Sequence, residues 1–138
     1  MKLENVSMGF RTLIADDDAD IVELLAFHCR QKGLGVHFAC NAMTTLQKAE
    51  RVMPDVIILD VNMPQGNGLS VCEMLANHHR LSGVPVIILT GCSSEETIRR
   101  CHSLCAYYVP KCANIWARIE PLLDELLTTG EETHAVAS

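Results

Sequence analysis

The chain has no apolar run long enough to cross a membrane. No stretch approaches the roughly 20 consecutive apolar residues of a transmembrane helix. Residues 1–8 are too polar to form the apolar core of a signal peptide. Together these two absences predict a cytoplasmic protein that does not act in a membrane.

Positive charge is also scarce. The 138 residues include 11 Lys and Arg against 17 Asp and Glu, which gives a net charge of -6. Sequence-independent binding to nucleic acid needs basic side chains that displace counterions from phosphates. We therefore expect no direct binding of nucleic acid, and we interpret Arg99 and Arg100 as part of a solvated helix face.

The seven cysteines do not form the pattern of a disulfide framework or of a zinc site. Their number is odd, and no Cys-x-x-Cys pair is present. Cys101, His102, Cys105 and Cys112 could approach one another, but a second close pair is missing. Reduced, mostly buried thiols are therefore predicted.

Strands alternate with amphipathic helices along the chain. Apolar runs predict strands at about residues 10–15, 36–39, 55–59, 84–89 and 107–109. Helical spacing of apolar residues follows each of them. Five βα units therefore fill a single domain, and an alternation of this kind is typical of a parallel sheet covered by helices on both faces.

Several residues mark where the helices begin and end. Gly33 ends the first helix, Asn41 caps the second and Pro54 ends it, while Ser94 begins the fourth. Pro121 lies inside the fifth helical pattern and predicts either a kink or a late start. The predicted core stripe of that helix is Ile115, Ile119, Leu122 and Leu126.

Polar residues follow four of the five predicted strands. Asp16 and Asp17 follow the first, Asp60 the third and Thr90 the fourth, and Lys111 comes after the fifth. Because the carboxyl ends of parallel strands open onto one crevice, these side chains are expected to converge there. The crevice would then hold carboxylates, a hydroxyl and an ammonium group, which phosphoryl chemistry requires.

Four segments resemble the signature regions of the response-regulator receiver domain of two-component signalling. These are LIADDDADIVELL, PDVIILDVNMPQGNGL, PVIILTG and YYVPK. The resemblance covers about residues 9–127, which leaves 1–8 as an extension and 128–138 as a disordered tail or the start of a linker. It implies a flavodoxin-like fold, a doubly wound (βα)5 three-layer sandwich whose parallel five-stranded sheet has the order 2-1-3-4-5.

The resemblance also implies a Mg²⁺ site. Asp17 and Asp60 would bind the ion directly, together with the backbone carbonyl of Asn62, and Asp16 would act through water. Three carboxylates a few ångströms apart repel one another, and a divalent cation relieves that repulsion. Mg²⁺ suits such a site because it prefers hard oxygen ligands and keeps several waters.

In this family the aspartate at the position of Asp60 is the phosphorylated residue. The resemblance implies that Asp60 accepts a phosphoryl group from a sensor histidine kinase, a phosphotransfer protein or a small phosphodonor. Lys111 would pair with a phosphoryl oxygen, Thr90 would donate its hydroxyl, and Tyr108 would act with Thr90 as a switch. Slow autodephosphorylation would follow, so the protein is not a conventional enzyme. The signal would reach the surface of the fourth helix, fifth strand and fifth helix, which could also form a homodimer.

Some alternatives stay open at the level of the sequence. Asp18 and Asp20 are better explained as acids favoured at a helix start. Cys112 stands where the family usually has proline after the lysine, and this keeps open a receiver-like interaction module that is not phosphorylated. Asp60-Val61-Asn62 also faintly resembles the Asp-x-Asp motif of haloacid-dehalogenase-type phosphatases, although that family places the motif on its first strand.

Overall fold

The computed structural model describes residues 9–63, 66–91, 95–104 and 106–127. The strands of the main sheet are β1 (Arg11–Ala15), β2 (Gly35–Ala39), β3 (Val56–Asp60), β4 (Val86–Thr90) and β5 (Tyr107–Pro110). The helices are α1 (Ala19–Gln31), α2 (Ala42–Val52), α3 (Gly68–Ala76), α4 (Glu95–Ser103) and α5 (Ile115–Leu126). The predicted alternation of strands and helices is confirmed.

The five strands form one parallel sheet in the order β2-β1-β3-β4-β5. This is the predicted flavodoxin-like arrangement. Ala15 pairs with Leu59, and Asp60 with Leu89, so the carboxyl ends of β1, β3 and β4 lie side by side. None of the helices in the described ranges is long and apolar enough to cross a bilayer.

The core lies in two layers, one on each face of the sheet. Residues of α2, α3 and α4 pack on one face, and residues of α1 and α5 pack on the other. All five residues of β3 and of β4 are buried. A strand covered on both faces needs apolar side chains on both, and this explains the unbroken apolar runs in the sequence.

Short polar side chains fix the starts of α1 and α2 as the sequence predicts. Asp18 Oδ1 accepts hydrogen bonds from the backbone N–H groups of Asp20 at 3.0 Å and Ile21 at 3.4 Å. Asn41 Oδ1 accepts one from Thr44 N at 2.8 Å. These contacts satisfy helix N–H groups that have no partner within the helix. Asp18 is therefore a helix cap, while the predicted start at Ser94 lies outside the described residues.

Helix α5 differs from its prediction in two ways. Its buried row is Ile115, Ile119, Leu123 and Leu127, whereas Leu122 and Leu126 are only half-buried. The helix thus packs along an i, i+4 row, which the sequence alone did not distinguish from the neighbouring i+3 positions. The helix also begins at Ile115 and continues through Pro121, so the late start, one of the two predicted alternatives, is wrong, while the predicted kink stays a prediction.

Trp116 packs within the same layer. Its ring stacks on that of His28 from α1, with centroids 4.8 Å apart and an interplanar angle of 12°. Lys32 adds an ionic link between the same two helices, because its Nζ lies 2.7 Å from Asp124 Oδ1 and 3.4 Å from Glu120 Oε2. Helices α1 and α5 are therefore joined by both an aromatic and an ionic contact.

A short antiparallel strand pair follows β3 and was not predicted. Asn62–Met63 pairs with Gly66–Asn67, directly before α3. The sequence indicated only a turn-rich segment there, and residues 64–65 lie outside the described residues. The pair holds the chain after Asp60 close to the start of α3.

Two buried threonines allow a matched test of core polarity. Thr12 Oγ1 has no hydrogen-bond partner in the described parts of the chain, whereas Thr45 Oγ1 donates to the carbonyl of Asn41 at 2.7 Å. We expect Thr12→Val to raise the free energy of unfolding by about 1 kcal/mol, because it removes an unsatisfied buried hydroxyl. Thr45→Val should lower it by about 1 kcal/mol. Urea unfolding measures both, and a loss of stability in Thr12→Val would contradict the first expectation.

Candidate functional site

The predicted polar residues meet at the carboxyl edge of the sheet. Asp16 directly follows β1, Asp60 and Thr90 are the last residues of β3 and β4, and Lys111 directly follows β5. The backbone N–H of Lys111 donates to the carbonyl of Thr90 at 2.8 Å, and this fixes the start of the lysine loop. Residues far apart in sequence are therefore brought to one place by the parallel topology.

Lys111 contacts two of the carboxylates. Its Nζ lies 3.0 Å from Asp16 Oδ2 and 3.3 Å from Asp60 Oδ2. Both carboxylates are buried, whereas the lysine side chain is 22% exposed. Burial by itself would lower the pKa of Lys111, but the ion pairs with Asp16 and Asp60 outweigh it and raise that pKa above its ordinary value. The lysine therefore stays charged at neutral pH.

The surroundings of Asp60 disfavour the ionised form of its carboxyl group. Burial raises the pKa of the Asp60 carboxyl, and the nearby carboxylate of Asp16 raises it further. Two groups oppose this shift in pKa: the backbone N–H of Asn62, which donates to Asp60 Oδ1 at 3.2 Å, and the ammonium of Lys111. A further positive charge next to Asp60 would therefore stabilise its ionised form.

The carboxylates are placed to hold a cation. Asp16, Asp17 and Asp60 each offer an oxygen, and these atoms lie within 4.8 Å of one another. Asp16 Oδ1 accepts a hydrogen bond from Asp18 N at 2.9 Å, while the buried Oδ2 is paired, among the described residues, with the ammonium of Lys111 at 3.0 Å. The three clustered carboxylates, two of them paired with the ammonium of Lys111, are a set of hard oxygen donors that fits a cation such as Mg²⁺.

The thiols offer no comparable site. Among the described residues, the acidic cluster is the one group of three or more Asp, Glu, His or Cys side chains close enough to share an ion. Cys101 is buried and Cys112 is exposed, while Cys105 lies outside the described residues. Cys29 and Cys72 are also buried, and burial raises their pKa values to about 12 and about 11. These two thiols are therefore protonated at neutral pH.

The sequence did not reveal the role of Gly68. A Cβ atom at this position would overlap the carbonyl oxygen of Asp60 and lie 2.7 Å from Cα of Val61. The backbone N–H of Gly68 also donates to the carbonyl of Val61 at 2.9 Å. Helix α3 therefore begins against the backbone of the candidate nucleophile, and only glycine permits that approach. The segment before α3 was interpreted only as a turn, because a glycine in a turn gives no signal of a distant contact.

The unusual loop around Lys111 leaves the lysine in position. Pro110 is the last residue of β5 and pairs with Thr90, at an edge strand where proline is tolerated. Cys112 is exposed. Tyr108, the predicted switch residue, is half-buried and packs against the core layer that contains α2, α3 and α4. Asn62 is exposed, as a residue at the mouth of the site would be.

Comparison with known sequences identifies the family. The sequence model of the response regulator receiver domain matches residues 12–116. The chain belongs to this family. The receiver domain is therefore a phosphoacceptor signalling domain of a two-component system.

Curated relatives share only part of their length with this receiver domain. The alkaline phosphatase synthesis transcriptional regulatory protein PhoP of Bacillus subtilis is 34% identical over 88 residues, which are 64% of this chain and 36% of PhoP. The DNA-binding response regulator MtrA of Mycobacterium tuberculosis is 33% identical over 85 residues, 62% of this chain and 36% of MtrA. The matched region thus spans about a third of each relative.

Solved structures show the same fold over most of the receiver domain. The chemotaxis response regulator CheY4 of Vibrio cholerae has a TM-score of 0.77 and 25% identity, covering 86% of this chain and 98% of CheY4. The non-phosphorylated HemR receiver domain of Leptospira biflexa has a TM-score of 0.78 and 23% identity, covering 87% and 96%. The latter likeness concerns the fold alone.

Proposed function

We propose that Asp60 is the phosphoacceptor of this receiver domain. The observation that carries the proposal is the position of its carboxylate, 3.3 Å from the ammonium of Lys111 and in one cluster with Asp16 and Asp17. A carboxylate so placed can attack phosphorus while fixed positive charge offsets the charge on the transferring group. The donor is a phosphohistidine of a sensor kinase or phosphotransfer protein, or a small phosphodonor.

The transfer uses each side chain in a separate role. An oxygen of Asp60 forms the new bond to phosphorus as the bond from phosphorus to the donor breaks. Lys111 pairs with a phosphoryl oxygen as a point charge, and Thr90 donates its hydroxyl to another. The same residues support slow hydrolysis of the aspartyl phosphate, so that the signal ends without a second enzyme.

We assign the cation site to Mg²⁺. Asp17, Asp60 and the backbone carbonyl of Asn62 would hold the ion directly, and Asp16 would act through water. When bound, the ion supplies positive charge that balances both the carboxylates and the phosphoryl oxygens. The close spacing of the three carboxylates and the oxygen-only donor set support this assignment.

The assignment predicts an order of metal affinities. Asp17→Ala should weaken Mg²⁺ binding by about 100-fold and Asp16→Ala by about 10-fold, because a direct ligand contributes more than one that acts through water. Asp18→Asn is the control, since it keeps a capping side chain and removes a charge of the same sign next to the site. Titration calorimetry ranks the three variants. If Asp16→Ala bound Mg²⁺ more weakly than Asp17→Ala, the roles of these two aspartates would have to be exchanged.

The output of the domain is proposed to be a change in surface. Thr90 and Tyr108 would move together on phosphorylation and alter the face formed by α4, β5 and α5, which could bind an effector or a second receiver.

We propose residues 9–127 as the receiver domain. The flanking segments 1–8 and 128–138 lie outside the described residues. We also propose a cytoplasmic location for this protein, which agrees with a phosphohistidine donor.

The decisive experiment is phosphorylation by a small donor. The protein is incubated with Mg²⁺ and acetyl phosphate and then analysed by intact mass, which should show one added phosphoryl group. Continuous turnover of p-nitrophenyl phosphate without a protein adduct would instead favour a phosphatase. A complete absence of both would favour an interaction module that is not phosphorylated.

A further inference from the structure

Helix α1 carries an exposed apolar face beside the edge strand β2. Leu24 and Phe27 of α1 and Phe38 of β2 are all exposed, and the Phe27 side chain is 55% exposed. They line a shallow groove of about 810 Å³. This face is separate from the α4-β5-α5 surface, because β2 and β5 are opposite edges of the sheet.

Charges of opposite sign lie at the two ends of this face. Asp20 and Glu23 line one end of the groove and Arg30 lines the other; all three are exposed, and Glu23 and Arg30 form no ion pair with the described residues. The Arg30 guanidinium lies over the Phe38 ring, 5.7 Å from its centroid. Glu23 and Arg30 are seven positions apart, and therefore about 10 Å apart along one side of α1. Phe27 lies almost midway between them.

We propose that this face binds a second copy of the same chain. In an antiparallel pair of α1 helices with a two-fold axis next to Phe27, Glu23 of each copy lies level with Arg30 of the other. Two equivalent ion pairs then form at the ends, and the apolar side chains meet in the centre. A two-fold interface requires such a self-complementary patch. A partner of uniform charge would match only one of the two ends.

The interface is expected to be weak. The apolar centre rests on three large side chains, far fewer than the roughly 20 residues per partner of a standard interface. The ion pairs set the antiparallel orientation more than the affinity. We therefore expect the fraction of dimer to rise as the protein concentration increases from about 10 µM to about 1 mM. This range corresponds to a dissociation constant between micromolar and millimolar.

Sedimentation velocity across this range tests the proposal. Wild-type protein should form dimers, and Phe27→Ser should weaken association at least about tenfold, since Phe27 occurs twice at the centre. Met74→Ser is the matched control: Met74 is 57% exposed, but it lies on α3 across the sheet. That variant should dimerise like wild type. Far-UV circular dichroism checks that each variant is folded.

Charge reversal gives the sharper test. Glu23→Arg and Arg30→Glu should each weaken the dimer, and the double variant should restore it, because the two ion pairs re-form with exchanged signs. A monomer at all concentrations, or a double variant weaker than both single variants, would overturn the proposal. Dimers that resist Phe27→Ser would place the interface elsewhere. Phe27-dependent binding only to a phosphotransfer protein, with no self-association, would assign the face to that partner instead.

Discussion

Asp60→Asn is expected to abolish the phosphoryl adduct formed with Mg²⁺ and acetyl phosphate. The amide has nearly the shape of the carboxylate but is not a nucleophile. Intact mass should show the adduct on wild-type protein and none on the variant. Asp20→Asn is the matched control, because Asp20 is an exposed acid in the first turn of α1 and is not part of the acidic cluster. An adduct that persists on Asp60→Asn would refute Asp60 as the acceptor.

The same variant has a second expected effect, on stability without metal. Burial and the charge of Asp16 raise the pKa of the Asp60 carboxyl, which means that its ionised form destabilises the fold. The neutral amide should therefore increase the free energy of unfolding at neutral pH. The gain should shrink as the pH falls through the raised pKa, because wild-type Asp60 then becomes neutral as well. Urea unfolding at several pH values measures it.

Lys111→Met is expected to destabilise the metal-free protein by about 2–3 kcal/mol at neutral pH. The variant leaves the buried carboxylates of Asp16 and Asp60 without their ammonium partner. Breaking a fully buried ion pair costs about 3–5 kcal/mol of stability. Because Lys111 is partly exposed, we expect a somewhat smaller loss here. Because the pKa of Lys111 is raised, the ion pairs persist in wild type until the pH exceeds the ordinary lysine range. Mg²⁺ should stabilise the variant more than it stabilises wild type.

Lys32→Met provides a close control. Lys32 also contacts two acids and has a similar exposure of 19%, but its partners Glu120 and Asp124 are 45% and 59% exposed. Ion pairs with such solvated acids contribute at most about 1 kcal/mol. Urea unfolding with and without Mg²⁺ should therefore separate the two lysine variants. Equal losses of stability in the two variants would mean that the burial of Asp16 and Asp60 does not determine how much Lys111 stabilises the fold.

Features with a local cause could be predicted from the sequence. The apolar runs of β3 and β4 reflect burial on both faces of the sheet. Asp18 and Asn41 cap their helices through contacts with residues two or three positions away. The candidate site was predicted for a related reason: each polar residue stands at a strand end, and parallel strands end at one edge.

What only the tertiary structure decided involves residues that are distant in the sequence. The pairing of Lys111 with Asp16 as well as with Asp60, the contact of Gly68 with the Asp60 backbone and the buried i, i+4 row of α5 are of this kind. A lysine, a glycine or a helical stripe looks the same in sequence whatever lies opposite it. Its neighbours are set by how helices pack on the sheet, and that packing depends on both cores at once.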